Sequence, residues 1–254
     1  TQLFNATIKV KLLRGIRISI NNSLLPIENI AKALSRGEPI LVFDDSEREG
    51  ETDIFFSARH VTSASVRLLR EQGGGMVFLA SDYTASEKLG LPFAHDIYRA
   101  VSRDSKGFGF LDTMLSHSLP YDTRSSFSLF INHKDSFTGI TDNDRSLTAT
   151  SFAELIQESK YLSDTDSRNK MAQSFRLPGH VPVCIADRKL LKKRQGHTEL
   201  IVALMKSIDL TPVALGCEML SEDGNALSPE EARVWAREQG YLFLEGRQIM
   251  EACQ

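Results

Sequence analysis

Hydrophobic positions along the chain fall into short runs, and their spacing switches between helical and extended. Ile27, Ile30 and Leu34 share one helical face between Pro26 and Gly37, so a helix opens at Pro26 and stops at Gly37. Ile40–Phe43 is an unbroken apolar run of the length expected for a buried strand, and Ile54–Phe56 repeats it. Thr62 caps a helix that runs to Gln72 and ends at Gly73-Gly74-Gly75, a tight turn. Met76–Leu79 and Phe127–Ile131 read as strands. A polar turn, Thr138–Arg145, leads to a helix over Leu147–Gln157. Ser159–Asn169, with Asp164, Asp166 and Ser167, reads as a surface loop. His180–Ala186 is a strand, His197–Ile208 a helix with Leu200, Leu204 and Ile208 in register, and Val213–Leu220 a strand. Ser228-Pro229-Glu230-Glu231 is a capping box with proline at the first helical position, Gly240 ends that helix, and Tyr241–Leu244 is the last strand.

This alternation predicts an α+β protein with α/β-type alternation: one compact domain over residues 26–254 whose mixed β-sheet is flanked by helices. Strand order is not contained in the pattern. Residues 1–25 are set apart as an N-terminal extension. Within it Ile8–Ile20 mixes Lys and Arg with apolar residues, lacks the apolar core and cleavage site of a signal peptide, and reads as strand-like.

Composition narrows the function classes. The 254 residues are 41% hydrophobic and 25% charged, which fits a chain able to bury a sizeable core. No apolar run approaches the ~20 residues that span a bilayer, so no membrane partner is expected. The net charge of −3 supplies no global basic field, which argues against nucleic acid as a partner. The three cysteines, Cys184, Cys217 and Cys253, are odd in number and widely spaced, which fits a reducing cytoplasm and neither a disulfide framework nor a zinc site.

Three segments carry candidate chemistry. Asp44–Asp53 holds six carboxylates in ten residues directly after a buried strand. Like charges crowd there unless a cation compensates them, and a hard divalent metal is the natural one. Arg48 inside the run suits an anion nearby. A solvated acidic loop is the other reading. The second segment spreads over His180, His197 and Glu218. Arg194, His197 and Thr198 stand where a helix begins, a good seat for phosphate. An imidazole there can ligate a metal or move a proton, and a carboxylate on a buried strand requires a partner. The third, Thr138–Arg145, has turn composition with several donors, and is either a loop with a helix cap or a flap over a ligand. His60, His95, His117 and His133 show no metal spacing and read as structural.

Four blocks then make the chain recognisable: FDDSEREGETD, FTGITDNDR, FRLPGHV with KKRQGHTE, and CEMLSEDGNA. Together they resemble the 3,4-dihydroxy-2-butanone 4-phosphate synthase family of riboflavin biosynthesis, most closely its archaeal, monofunctional form. His180 and His197 stand seventeen positions apart, and Glu218 follows twenty-one further on, as in that family. The resemblance covers about Ile27 to Ile249 and implies the family's fold. It implies a lyase that converts D-ribulose 5-phosphate to L-3,4-dihydroxy-2-butanone 4-phosphate and formate, through an enediolate, dehydration and skeletal rearrangement. It also implies Mg²⁺ or Mn²⁺, two ions per active site, no organic cofactor, and a homodimer with shared sites.

Residue by residue, the resemblance makes Glu49 and His197 metal ligands. It makes Arg48, Glu49, Asp53, Arg194, Gln195, Gly196, His197, Thr198 and Glu218 substrate contacts, and His180 and Glu218 catalytic groups. The acidic loop is expected to act as a lid around Gly50. Phe78 stands where many family members carry cysteine, so no role of that thiol carries over. Without the resemblance, another divalent-metal sugar-phosphate enzyme or an inactive phosphosugar-binding relative would also fit.

Overall fold

The computed structural model describes residues 17–20, 23–104 and 107–253, with side chains from Ile27 onward. Of the expected extension, residues 1–16 and 21–22 lie outside the described residues. The rest of it pairs as an antiparallel hairpin of β1 (Arg17–Ile20) and β2 (Ser23–Pro26).

Seven strands form one mixed sheet: β3 (Ile40–Phe43), β4 (Thr52–Ser57), β5 (Phe78–Ser81), β6 (Phe127–His133), β7 (Phe175–Ile185), β8 (Val213–Glu218) and β9 (Leu242–Glu245). Their order is β6-β7-β5-β8-β4-β3-β9. The β3–β9 and β5–β7 pairs are parallel and the other four antiparallel. The continuous apolar runs follow from this arrangement, because both faces of the sheet are covered. Leu41, Ile54, Phe56, Leu79, Val183 and Leu215 pack to one side, under α2 (Ser63–Gln72), α6 (Asp142–Ser159) and α9 (Pro229–Gln239). Ile40, Val42, Phe55, Phe78, Cys184 and Ala214 pack to the other, under α1 (Ile27–Ser35), α8 (His197–Ser207) and α10 (Gly246–Ala252).

Helix α8 is buried from His197 through Met205. From Leu200 to Met205 its sequence is apolar on all sides, which requires burial. Its buried N-terminus overlies the sheet end formed by Asp53 and Glu218, and this positions the site.

The caps stand where the sequence places them. Thr62 Oγ1 accepts from the Ser65 N–H at 3.3 Å, and Ser228 Oγ from that of Glu231 at 3.2 Å. Gly240 takes the left-handed φ of 74° that closes α9. Four expectations need correction. Ser159–Asn169 is not a surface loop throughout: Ser163 caps α7 (Asp164–Ser174), whose Oγ accepts from the Asp166 N–H at 3.1 Å. That helix buries only Ser167 and Met171, so no apolar stripe marks it. The turn expected to reach Arg145 ends at Thr141, which caps α6 from Asp142. Asp53 belongs to β4, not to the acidic loop. The strand expected over Met76–Leu79 is displaced to Phe78–Ser81, because the residues before it wrap around Glu218. Four further helices carry no expectation: α3 (Tyr83–Lys88), α4 (Ala94–Asp104), α5 (Phe110–Leu115) and the closing α10.

Candidate active site

Strand β3 delivers the buried Asp44 to the sheet end, where its carboxylate organises the acidic loop. Oδ2 accepts from the Glu49 backbone N–H and Oδ1 from that of Glu51, both at 3.1 Å. Gly50 sits between them with φ 67°, a conformation that costs glycine little. The loop therefore directs Glu49 inward.

Helix α8 brings His197 against that loop. Its Nε2 lies 3.1 Å from the Glu51 carbonyl oxygen, which can only accept, so Nε2 keeps a proton and Nδ1 is the nitrogen that could face a metal. Nδ1 is 3.4 Å from Glu49 Oε2, and Nε2 is 3.7 Å from Asp53 Oδ1. Burial opposes the imidazolium, but the carboxylates of Asp53, Glu49 and Asp44 outweigh it and push His197 up to about 10. Burial raises Asp53 to about 7, with Glu218, Glu49 and Glu51 adding to the effect against the pull of His197. Burial also works against the Glu49 carboxylate, yet His197, Arg194 and Arg48 hold it below the ordinary range.

Asp44, Glu49 and His197 place one ligand atom each within 4.8 Å of one another. The Asp44 oxygens already serve the loop, which leaves Glu49 and His197 as the open pair. Asp53 Oδ1 is buried with no hydrogen-bond partner among the described residues. An orphaned carboxylate oxygen beside a carboxylate–imidazole pair is a donor set that fits a hard divalent cation. The cation would take the place of the Nδ1 proton.

Two guanidinium groups border this cluster. Arg194 bonds Glu199 Oε2 at 2.6 Å and the Asp122 carboxylate, and its Nη2 stands 4.0 Å from Glu49 Oε1. Burial works against its charge, and Glu199 and Asp122 outweigh burial, so the pKa is raised. Arg48 lies 3.6 Å from both Asp44 and Glu49 and 5.8 Å from the Tyr121 ring centroid. Its Nε and Nη2 are buried without hydrogen-bond partners among the described residues. Gly196 allows both to approach: a Cβ there would stand 2.7 Å from Arg194 Nη1 and 3.0 Å from Arg48 Nη2.

Glu218 ends β8 directly opposite Asp53. The glycine turn forms its seat. Gly74 N–H donates to the Glu218 carbonyl at 2.6 Å and Met76 N–H to Oε1 at 3.2 Å. A Cβ on Gly74 would come within 2.8 Å of Oε1. Glu49, Asp53, His197, Thr198, Arg194 and Glu218 share the wall of one cavity of about 350 Å³. Phe78 lines its apolar side and packs edge-on against Phe55, with ring centroids 5.9 Å apart.

Two candidates lie elsewhere. Gln195 is exposed and lines a separate groove with Met250 and Cys253. His180 is exposed on β7, bonded to Asn132, and does not line the cavity. The loop from Thr138 packs Gly139 against Asn132 rather than over the acidic cluster. The sequence reading did not single out Asp44, Tyr121, Asp122 or Glu199. Glu199 had a signal, a carboxylate at the start of an otherwise apolar helix; Asp122 had none.

Fold and site together define a class: α+β proteins that gather carboxylates, an imidazole and guanidinium groups at the end of central strands, suited to a divalent cation and an anionic ligand. The chain belongs to the 3,4-dihydroxy-2-butanone 4-phosphate synthase family, whose sequence profile matches residues 28–252. It is 42% identical over 229 residues to the synthase of that name from Archaeoglobus fulgidus, covering 90% of this chain and 94% of the relative. It is 42% identical over 227 residues to that of Methanosarcina mazei, covering 89% and 90%. The crystal structure of the Candida albicans synthase superposes with a TM-score of 0.66 at 25% identity, covering 90% of this chain and 97% of that one. A further synthase structure, in complex with two magnesium ions, gives a TM-score of 0.65 at 20% identity, covering 88% and 94%.

Proposed function

We propose that the protein converts D-ribulose 5-phosphate to L-3,4-dihydroxy-2-butanone 4-phosphate and formate. The observation that carries this is the convergence of Glu49, Asp53, His197 and Glu218 on one cavity beside Arg48 and Arg194, in a chain 42% identical to named synthases over almost its whole length. Residues 26–254 act as a single catalytic domain, with 1–25 as an extension. A cytoplasmic setting is part of the same proposal and rests on the odd count of three cysteines.

Glu49 and His197 would hold Mg²⁺ or Mn²⁺, two ions per site, with the orphaned Asp53 oxygen directed at the same place. When bound, the metal stabilises negative charge that develops on the substrate oxygens. Arg48, Arg194, Thr198 and the N–H groups that begin α8 orient the substrate through its phosphate, which takes no part in bond breaking. Glu218 takes a proton beside the ketone, its carboxylate aimed by the Met76 N–H. Asp53, directly opposite Glu218 across the strand pair, contacts the substrate beside it. The acidic loop around Gly50 closes over the bound substrate.

The protein is a homodimer in this reading, and His180 reaches the cavity of the partner subunit. What supports it is that His180 shares an exposed region with Leu177, Ile140 and Phe137, the last 91% exposed. Mixing two inactive variants, His180→Ala and Glu218→Gln, tests it. Half of the mixed dimers would be hybrids with one intact site, restoring about a quarter of full activity; no recovery sinks the shared site.

The activity itself is tested by formate release. Metal-stripped protein and D-ribulose 5-phosphate should give formate only when Mg²⁺ or Mn²⁺ is added, with no free phosphate. No formate with either ion, from folded protein, overturns the reading. Phosphate release would point to another sugar-phosphate reaction.

A further inference from the structure

His180 stands on an irregularity in the sheet. The β6–β7 register runs from Ile131↔Val181 to Asn132↔Arg176, so the four residues Leu177–His180 have no partners on β6. Asn132 fills the gap. Its Oδ1 accepts from the His180 backbone N–H at 2.9 Å, and its Nδ2 lies 3.0 Å from His180 Nδ1. Asn132 is 2% exposed. Gly139, at φ 95°, closes over its amide, where a Cβ would overlap it.

These contacts fix more than position. The backbone N–H is a donor in every protonation state, so the amide oxygen must face it. The amide NH₂ is then the group that faces the ring, and a donor there demands a lone pair on Nδ1. The remaining ring proton sits on Nε2, which forms no hydrogen bond among the described residues. We propose that Asn132 is a positioning residue that holds His180 as the neutral Nε2–H tautomer, so that His180 meets the substrate as a hydrogen-bond donor and not as a base. The inference rests on the reading of His180 as a group of the shared site. It assigns to Asn132 a role that the sequence motifs do not.

The test reads the tautomer directly. Full-length, Mg²⁺-loaded protein labelled with ¹⁵N at histidine is examined by long-range ¹H–¹⁵N correlation, with His180→Gln to assign the signals. His180 should show an unprotonated Nδ1 and a protonated Nε2. Asn132→Asp keeps the acceptor for the backbone N–H but presents an acceptor to the ring, and should move the proton to Nδ1. Asn132→Ala should leave both tautomers populated. A proton on Nδ1 in the parent protein, or a pattern unchanged in both variants, overturns the proposal. In turnover, Asn132→Asp should lower kcat about tenfold or more while KM for D-ribulose 5-phosphate stays within about twofold. An inverted tautomer with full kcat would remove His180 as the hydrogen-bond donor to the substrate, whatever the formate assay of the parent protein shows.

Discussion

Asp53 on β4 and Glu218 on β8 face each other directly across an antiparallel pair, two carboxylates in register at the end of the central strands. Like charges so placed destabilise a sheet. Burial, with Glu218 adding to it, raises the Asp53 pKa from 3.8 to about 7, so Asp53 keeps its proton well above the ordinary carboxylate range. A carboxyl with a raised folded pKa contributes its stability fully below its unfolded value, and that contribution is lost as pH climbs through the folded value. Metal-free protein should therefore lose stability between pH 4 and 7 through this group, by at most about 4 kcal/mol at ~1.4 kcal/mol per pKa unit. Asp53→Asn lacks that slope. Chemical denaturation without metal should show the variant gaining on the parent between pH 5 and 7.5; parallel curves would mean that Asp53 titrates normally.

His197 is pressed between Glu49 and Asp53 and contributes the Nδ1 that faces Glu49. His197→Ala should weaken Mn²⁺ binding on the order of 100-fold, as read by calorimetry, and abolish turnover. Unchanged Mn²⁺ affinity would remove His197 from the metal shell.

Glu218 accepts from backbone N–H groups at both its carbonyl and its side chain, and a glutamine oxygen can keep those bonds. Glu218→Gln should fold normally and bind substrate with near-normal affinity in titration calorimetry while losing turnover by a factor of about 10² or more. A fully active variant would end its assignment as the base.

Gly196 has an ordinary φ of −82°, so its importance is space and not conformation. The Cβ of Gly196→Ala would press on Arg194 and Arg48. The expected result is a KM for D-ribulose 5-phosphate raised about tenfold or more, with Mn²⁺ affinity nearly unchanged. Equal losses in both would show that the loop, and not the guanidinium pair, had moved.

Much of this arrangement is legible in the sequence. Buried strands, capped helices and the acidic loop each carry a local signal: Ile40–Phe43 is apolar throughout, Thr62 and Ser228 cap, and carboxylates crowd after β3. Elements held by few buried residues carry none. Helix α7 buries Ser167 and Met171 alone, so its polar sequence reads as loop. Contacts that depend on topology are likewise silent. Nothing near Asp122 announces that it will meet Arg194, seventy-two positions later. The glycine turn reads locally as a turn, and its role as the seat of Glu218 appears only when β8 pairs with β5.

The place of β8 in the middle of the sheet has a consequence for how the chain is made. Until Val213–Glu218 emerges, β6-β7-β5 and β4-β3 are two fragments, each with an unsatisfied inner edge, and β9 follows later still. Neither fragment contains both Asp53 and Glu218. A nascent or prematurely ended chain thus exposes paired-strand edges that invite self-association, while lacking Glu218 and the strand that joins β4 to β5. Both the pairing of Asp53 with Glu218 and the joining of the two sheet fragments thus wait for β8, and nonsense products that stop before Val213 should collect in aggregates and not as partly active enzyme.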